Sequence, residues 1–218
     1  MSIGILGGTG PAGRALAARL SSTGTEVHVG SREKERGEQV AAALRDTWPD
    51  RDLPLRGVQN EKACTCDLVV IATPWQGAVP TASALRQNLA GKVVVSMVNA
   101  LEMVGREMQA LVPPRGSITA AVQHAVPDAL VAGAFHHVPA APLGDLTEDL
   151  EGDVLVCSDH ERAMTAAIEL VDSVPGLRGV NGGSLTYAAA VEAFTAVLVG
   201  VNMRYRAHSS IRLTGIDR

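Results

Sequence analysis

Three glycines near the start of the chain, Gly8, Gly10 and Gly13, have the spacing G-x-G-x-x-G. They directly follow the apolar residues 3–6, which predict a buried strand, and Pro11 suits the first position of a helix, where its missing N–H costs nothing. A turn between such a strand and such a helix lets backbone approach a pyrophosphate, because free N–H groups attract its charge. We therefore predict a dinucleotide-binding turn made of Gly8, Thr9, Gly10, Pro11, Ala12 and Gly13. The competing interpretation is an ordinary glycine-rich turn in another kind of α/β protein.

The next predicted strand, residues 27–29, indicates which dinucleotide binds. In chains that bind NAD, an Asp or Glu about 20 residues past the glycines accepts hydrogen bonds from the adenosine ribose. Here the strand leads instead into Ser31 and Arg32, with Arg36 one helical turn further on. A hydroxyl and two guanidinium groups suit a ribose phosphate, which a carboxylate would repel. We predict NADP(H), with Thr9 as a further hydroxyl; simple surface charge at Arg32 and Arg36 is the alternative.

The composition is typical of a metabolic protein and argues against several other classes. The 218 residues carry a formal net charge of -4, whereas nucleic-acid surfaces are usually basic. Since no charged leader precedes the first predicted strand, we expect no signal peptide and a cytoplasmic location. Three cysteines without the spacing of a zinc site indicate reduced thiols, and we expect no metal.

The elements that must position these residues alternate along the chain. Strands are predicted at residues 3–6, 27–29, 55–59, 68–73, 92–96 and 130–135, and helical segments at 34–48, 77–89 and 117–126. Such alternation predicts an α/β fold of the Rossmann type: a doubly wound, mainly parallel sheet with crossover helices. Ligands of such sheets lie beyond the carboxyl ends of the strands. Residues at three strand ends are therefore expected to meet the glycine-rich turn: Thr73, Pro74 and Trp75; Ser96, Met97 and Val98; and the loop 136–142.

We predict two domains, an NADP-binding domain over residues 1–142 and a small α/β carboxy-terminal domain over residues 143–218. The second has predicted strands at 153–157 and 177–181, a helix at 160–174, and a long apolar final helix, Leu185–Tyr205. Its apolar run is shorter than the about 20 residues of a membrane span and contains Glu192, so we expect no membrane segment. A helix that is apolar on all sides is usually buried, which predicts a homodimer.

Six segments, in order along nearly the whole chain, resemble the NADPH-dependent reductases of coenzyme F420, also called F420H2:NADP oxidoreductases. They are Gly7-Gly8-Thr9-Gly10 with Gly13, Gly30-Ser31-Arg32, Thr73-Pro74-Trp75, Val94-Val95-Ser96, His136 with Val138-Pro139-Ala140-Ala141, and Asn202-Met203-Arg204-Tyr205. The first segment is shared with many dinucleotide folds, but the combination of the other segments is typical of fewer protein families. Residues 188–190 are all alanine here, whereas some members of that family are expected to have at least one polar or basic side chain in this segment.

This resemblance implies hydride exchange between NADPH and the 5-deazaflavin ring of F420, stacked in the cleft between two domains. It implies that Thr9, Ser31, Arg32 and Arg36 hold the 2′-phosphate and that backbone near Ala140 orients the nicotinamide. The deazaflavin would be bordered by Ser96, Met97, Val98, His136 and Val138.

The residues themselves offer no nucleophile or metal set, which agrees with chemistry carried by cofactors. His136 is the candidate polar group beside the ring, as a hydrogen-bond donor to developing charge; a loop histidine bonded to backbone is equally consistent. We expect His137 to be exposed. Two other functions stay open: an NADPH-dependent reductase of an imine, a ketoacid or a flavin, and a non-catalytic NADP(H) redox sensor.

Overall fold

Eight strands form one sheet in the computed structural model, which describes residues 1–216. The strands, with a separate hairpin of two, are β1 Ser2–Leu6, β2 Glu26–Ser31, β3 Leu55–Gln59, β4 Leu68–Ile71, β5 Val93–Ser96, β6 Leu101–Val104, β7 Glu107–Ala110, β8 Leu130–Gly133, β9 Gly152–Ser158 and β10 Leu177–Gly183. The sheet order is β10-β9-β8-β5-β4-β1-β2-β3, and β6 pairs with β7. Neighbours in the sheet are parallel apart from β8 and β9, which are antiparallel. The predicted doubly wound, mainly parallel α/β fold is confirmed.

Helices cover both faces of this sheet. They are α1 Pro11–Ser22, α2 Lys34–Thr47, α3 Asn60–Ala63, α4 Trp75–Ala84, α5 Arg86–Leu89, α6 Ile118–Ala125, α7 Ala140–Gly144, α8 Glu161–Asp172 and α9 Ala188–Tyr205, with a 3-10 turn at Leu185–Tyr187.

The apolar strands supply two cores because successive side chains point to opposite faces. In β4, Leu68 and Val70 join the core packed against α1 and α8, whereas Val69 and Ile71 join the core packed against α4 and α6. This is why the central strands are continuous apolar runs, as parallel strands buried on both faces require.

Several boundaries differ from the sequence expectation: the strand predicted over 68–73 ends at Ile71, and the helix predicted over 77–89 is two helices, α4 and α5, that meet at Leu85. The strand predicted over 130–135 ends at Gly133, because Phe135 adopts a φ of 61° and turns the chain away from the sheet. The final helix begins with a 3-10 turn and ends where Arg206 takes a left-handed conformation. The hairpin β6–β7 lies in a segment for which no element was predicted.

The carboxy-terminal strands continue the main sheet through the antiparallel pair of β8 and β9. After α9 the chain returns across β9: the Asp153 N–H donates to the Ile211 carbonyl, and Arg178 forms an ion pair with Asp153. Arg178 also donates to the Leu213 carbonyl, 2.9 Å away. These contacts fix residues 211–213 against β9 and β10.

Helix α9 has one buried and one exposed apolar face. Ala188, Val191, Thr195 and Leu198 are buried, whereas the side chains of Phe194 and Val197 are 38% and 56% exposed. By length and composition the segment Leu185–Tyr205 could cross a membrane, a test that core helices also pass, and 39% of its most apolar window is buried.

Candidate functional site

The carboxyl ends of five neighbouring strands form one row across the sheet. The register pairs Leu6 with Gly30 on one side and with Ile71 on the other, and continues from Ile71 to Ser96 and Gly133. Adjacent strands lie about 4.8 Å apart, so the row is about 19 Å long. Because β2 and β4 flank β1, the strand order reverses at β1, where dinucleotides bind in this class of sheet.

The glycine-rich turn leaves this row at Leu6 and enters α1. Gly7 has a φ of 75°, which a side chain would strain. A Cβ at Gly13 would lie 2.7 Å from the Gly7 carbonyl oxygen, whereas one at Gly10 would meet no atom closer than 3.5 Å. Gly13 is therefore required for packing α1 on the turn, while the space at Gly10 is open to a ligand.

The end of β2 carries the residues predicted for a ribose phosphate. Ser31 is buried and its hydroxyl accepts a hydrogen bond from the Glu33 N–H at 3.3 Å, which leaves the hydroxyl proton free to donate. Arg32 and Arg36 are exposed, and neither forms an ion pair within the described residues. Glu33 and Glu35 are exposed as well. The structure thus brings Ser31 and two unpaired guanidinium groups to the same strand end.

The ends of β4, β5 and β8 contribute polar atoms that lack partners. In residues 1–216 the buried atoms without a hydrogen bond include Thr73 Oγ1, Ser96 Oγ, Asn99 Oδ1 and His136 Nδ1. An unsatisfied buried polar atom costs about 1–3 kcal/mol. Four of them at neighbouring strand ends indicate a site that a ligand or water completes. Asn99 was not predicted, since it lies three residues past the strand end and no spacing marked it.

His136 is buried and held through its backbone. Its carbonyl accepts from Asn99 Nδ2 at 2.6 Å and from Thr195 Oγ1 at 3.0 Å, which links β5, the loop after β8 and α9. Burial, together with the neighbouring His137, lowers the pKa of His136 to about 3. The imidazole is therefore neutral at physiological pH, and it stays so across the range in which most enzymes work.

A buried carboxylate on α9 lies behind His136. Glu192 is only 4% exposed, and it accepts hydrogen bonds from the Ile118 N–H at 2.8 Å, the Thr119 N–H at 2.9 Å and Thr119 Oγ1 at 2.8 Å. Burial raises the pKa of Glu192, and these three hydrogen bonds oppose that shift. From the sequence, Glu192 indicated only that the apolar helix does not span a membrane, and its contacts with Ile118 and Thr119 were not predicted.

His137 is not exposed, contrary to the expectation. It is 4% exposed, and its Nε2 accepts a hydrogen bond from the Leu155 N–H at 3.3 Å. Burial lowers its pKa to about 4. The sequence could not reveal this, because the strand that covers His137 is β9, which joins the sheet antiparallel to β8.

The loop 136–142, predicted to lead toward the nicotinamide, runs into α7, and one arginine of α1 fastens the segment around α7. The guanidinium of Arg19 donates to four backbone carbonyls, those of Pro142, Leu143, Asp145 and Glu148. Val138 and Ala140 are half-buried here. Burial lowers the pKa of Arg19.

The other predicted site residues lie at the same edge of the sheet. Met97 and Val98 are buried directly after β5, and the Met97 N–H donates to the Ile71 carbonyl at 3.1 Å. Pro74 precedes α4, and Trp75 begins it, half-buried against the core. Pro11 and Ala12 form the first turn of α1, and Thr9 lies in the turn itself. Within the described residues, no three His, Cys, Asp or Glu side chains cluster as metal ligands.

A parallel sheet that reverses its strand order at a glycine-rich turn defines a Rossmann-type dinucleotide-binding protein. The family described as "NADP oxidoreductase coenzyme F420-dependent" matches residues 2–100. Over its full length the chain is 33% identical to the F420-dependent NADP reductase of Methanocaldococcus jannaschii, covering all of both chains. The chain belongs to the family of F420-dependent NADP oxidoreductases, as its motifs indicated.

Further comparisons agree with this assignment. The F420-dependent NADP reductase of Methanothermobacter thermautotrophicus is 29% identical over 99% of this chain and 96% of its own. The crystal structure of a putative F420-dependent NADP reductase from Arthrobacter sp. FB24 superposes with a TM-score of 0.81, at 22% identity and 99% coverage of both chains. At that identity the structural likeness supports the fold.

Proposed function

We propose that this protein transfers a hydride between NADP(H) and coenzyme F420. The observation that carries the proposal is the row of strand ends, which joins the turn after β1, the arginines after β2 and the unpartnered polar atoms after β4, β5 and β8. Membership of the F420-dependent family supports the identity of the second coenzyme.

The residues present fit the phosphates of NADP(H). Ser31 has a hydroxyl proton to donate, and Arg32 and Arg36 have no competing carboxylate partner in the described part of the chain. They would bind the 2′-phosphate together with Thr9, because paired N–H donors match phosphate oxygens. The turn from Gly8 to Gly13 would hold the pyrophosphate, since the first N–H groups of α1 have no partner within the helix.

The residues after β5 and β8 fit two stacked rings. Met97 and Val98 supply apolar surface, while Ser96, Asn99 and His136 supply the unpartnered polar atoms. Thr73, Pro74 and Trp75 would border the dinucleotide from the end of β4. Backbone near Ala140 would orient the nicotinamide amide, and Val138 would border the deazaflavin.

When bound, the two coenzymes supply the reactivity, a hydride passing from one ring carbon to the other. The protein's part is to hold the two rings face to face and to exclude water. Neutral His136 neither gains nor loses a proton at physiological pH, which suits an orienting role.

The direct test is to mix purified protein with NADPH and oxidised F420. We expect the visible absorbance of the oxidised deazaflavin to disappear. Persistence of that absorbance, with folding verified by circular dichroism, contradicts the proposal. Turnover of an imine, a ketoacid or a flavin without F420 would support another reductase, and tight NADPH binding without any oxidation would support a redox sensor.

We further propose that the protein is a homodimer built on α9. The exposed face of this helix carries Ala190, Phe194 and Val197, spaced as one stripe, and the exposed Met103 and Val104 of the β6–β7 hairpin add apolar surface. Exposed apolar area of this kind marks interaction sites. A boundary near residue 142 between two domains, a cytoplasmic location and the absence of membrane and nucleic-acid partners stay predictions from the sequence.

A further inference from the structure

The imidazole of His136 has two nitrogens in different surroundings. Nε2 lies 3.5 Å from Thr119 Oγ1, a long contact, whereas Nδ1 is buried without a partner. A neutral imidazole carries one proton, and the group beside each nitrogen decides which nitrogen has it. The chemistry that His136 offers a ligand therefore depends on the direction of the Thr119 hydroxyl.

The direction of that hydroxyl is set by Glu192. Both oxygens of this carboxylate receive donors, Oε1 from the Thr119 N–H and hydroxyl and Oε2 from the Ile118 N–H. A carboxylate is an acceptor only, and the amino-terminal end of α6 favours its negative charge. The single hydroxyl proton of Thr119 is thus committed to Glu192, so toward His136 the oxygen can only accept.

We infer that Glu192, acting through Thr119, fixes the proton of His136 on Nε2 and leaves Nδ1 as a bare acceptor for a ligand N–H. This replaces the expectation that His136 donates a hydrogen bond to the ring. Glu192 and Thr119 are positioning residues, and the ligand group is an amide N–H. If the proposed function holds, two ligands could supply this N–H: the nicotinamide through its carboxamide and the deazaflavin through its pyrimidine ring. In this respect the inference rests on the proposed function.

The close packing of this relay supports a defined geometry. A Cβ at Gly133 would lie 2.7 Å from His136 Nε2 and 2.9 Å from Thr119 Oγ1, so only glycine leaves room for the pair. The His136 carbonyl is held by Asn99 and Thr195 at the same time. Ring and hydroxyl therefore have little freedom to exchange their roles.

The test reads the proton directly, by long-range 1H–15N NMR of protein labelled with 15N-histidine. In the free wild-type protein we expect a protonated Nε2 and an unprotonated Nδ1 at His136. Thr119→Val removes the acceptor of the Nε2 proton, and Glu192→Leu removes the acceptor of the Thr119 hydroxyl proton, which frees the hydroxyl to donate to His136. Both variants are expected to populate the tautomer with the proton on Nδ1, whereas Thr119→Ser keeps the wild-type state.

A proton on Nδ1 in the wild-type protein would overturn the inference, and so would an unchanged tautomer in both Glu192→Leu and Thr119→Val. Two variants are used because Glu192 also anchors α9, and either one alone suffices if the other does not fold. These measurements need no turnover, so they stand even if the protein fails to reduce F420.

Titrations of the labelled wild type identify the ligand group. A shift of the Nδ1 resonance with NADP+, but not with the analogue that has a methyl ketone in place of the carboxamide, assigns the nicotinamide. A shift with oxidised F420 alone assigns the deazaflavin. We expect Thr119→Val to weaken binding of that ligand by up to about tenfold, the size of one hydrogen bond, and Thr119→Ser to restore it. No shift with either ligand, although both bind, rules out the acceptor role.

Discussion

At the scale of single residues, Arg32 and Arg36 follow β2 with exposed, unpaired guanidinium groups among the residues that the structure describes. If Arg32 binds the 2′-phosphate, Arg32→Ala removes a charge-assisted hydrogen bond that is present with NADPH and absent with NADH. We expect the preference for NADPH over NADH to fall by about 1.5–3 kcal/mol. The measurement is kcat/KM for F420 reduction with each nucleotide.

A matched control for this substitution is Arg162→Ala. Arg162 is also an exposed arginine, but it lies on α8, away from the turn after β1. The control should leave the nucleotide preference unchanged. An unaltered preference in Arg32→Ala would remove Arg32 from the phosphate site.

Single residues differ in how far the sequence could predict their roles. Ser31 and Arg32 could be placed at the sheet edge from the sequence because they come just after a predicted strand; their role in binding phosphate stays a prediction. Glu192 and Thr119 are 73 residues apart in sequence, and their contact depends on how α9 packs on α6. The burial of His137 depends on β9 in the same way. Such contacts are a result of tertiary packing, which one sequence does not reveal.

At the scale of elements, the turn between β1 and α1 contains one glycine, Gly13, that packing requires and another, Gly10, beside which a ligand has room. Gly13→Ala forces a Cβ to within 2.7 Å of the Gly7 carbonyl oxygen, so we expect it to destabilise the protein by about 1–3 kcal/mol. Gly10→Ala meets only ordinary contacts, at a φ of -77°, and should cost less than about 1 kcal/mol.

For NADPH binding, Gly10→Ala is expected to have the large effect that Gly13→Ala has on stability. Gly10→Ala is expected to fold and yet to bind NADPH at least about tenfold more weakly, since its methyl group enters the space for the pyrophosphate. Urea denaturation and a fluorescence titration with NADPH measure the two effects. Normal NADPH affinity in a folded Gly10→Ala protein would place the pyrophosphate elsewhere.

Elements with strong apolar patterns were predictable, and the hairpin was not. The central strands are continuous apolar runs, which the sequence shows directly. In β6 and β7 most residues are exposed, including Glu102 and Glu107, so no buried face marks them. The available signal was Gly105, whose φ of 62° begins the two-residue turn between the strands.

At the scale of the whole molecule, the two buried histidines make stability depend on pH. Their pKa values fall from the ordinary 6.5 to about 3 for His136 and about 4 for His137. Between these values and 6.5 the unfolded chain binds more protons than the folded one, so stability must decrease as the pH falls. The slope is about 1.4 kcal/mol per pH unit for each histidine.

Urea denaturation at several pH values between about 7 and 5 measures this slope. His137→Asn should reduce it by the share of one histidine, whereas Gln39→Asn, which changes an exposed side chain without a titratable group, should not. Equal slopes for wild type and His137→Asn would show that His137 binds its proton as readily in the folded protein as in the unfolded chain. The pKa of Asp153 is lowered, mainly by its hydrogen bond from Arg178, so its contribution is lost only below its unfolded value of 3.8.

The proposed dimer can be tested on the exposed face of α9. Val197→Glu places a charge at the most exposed large side chain of the apolar stripe, and burying that charge in an interface would be costly. We expect sedimentation to show a dimer for wild type and a folded monomer for Val197→Glu. Ala43→Glu, on an exposed position of α2, is the matched control. A wild-type protein that sediments as a monomer contradicts the dimer.

In the proposed reaction the protein brings two rings together at one row of strand ends, and a hydride passes directly between them. The most direct test is single-turnover reduction of F420 with NADPH that carries deuterium at the transferred position of the nicotinamide, in ordinary water. We predict that the deuterium is found on the reduced deazaflavin and that none is exchanged with the solvent. Deuterium released to water, or no reduction of F420 by the folded protein, would rule out direct hydride transfer between the two coenzymes.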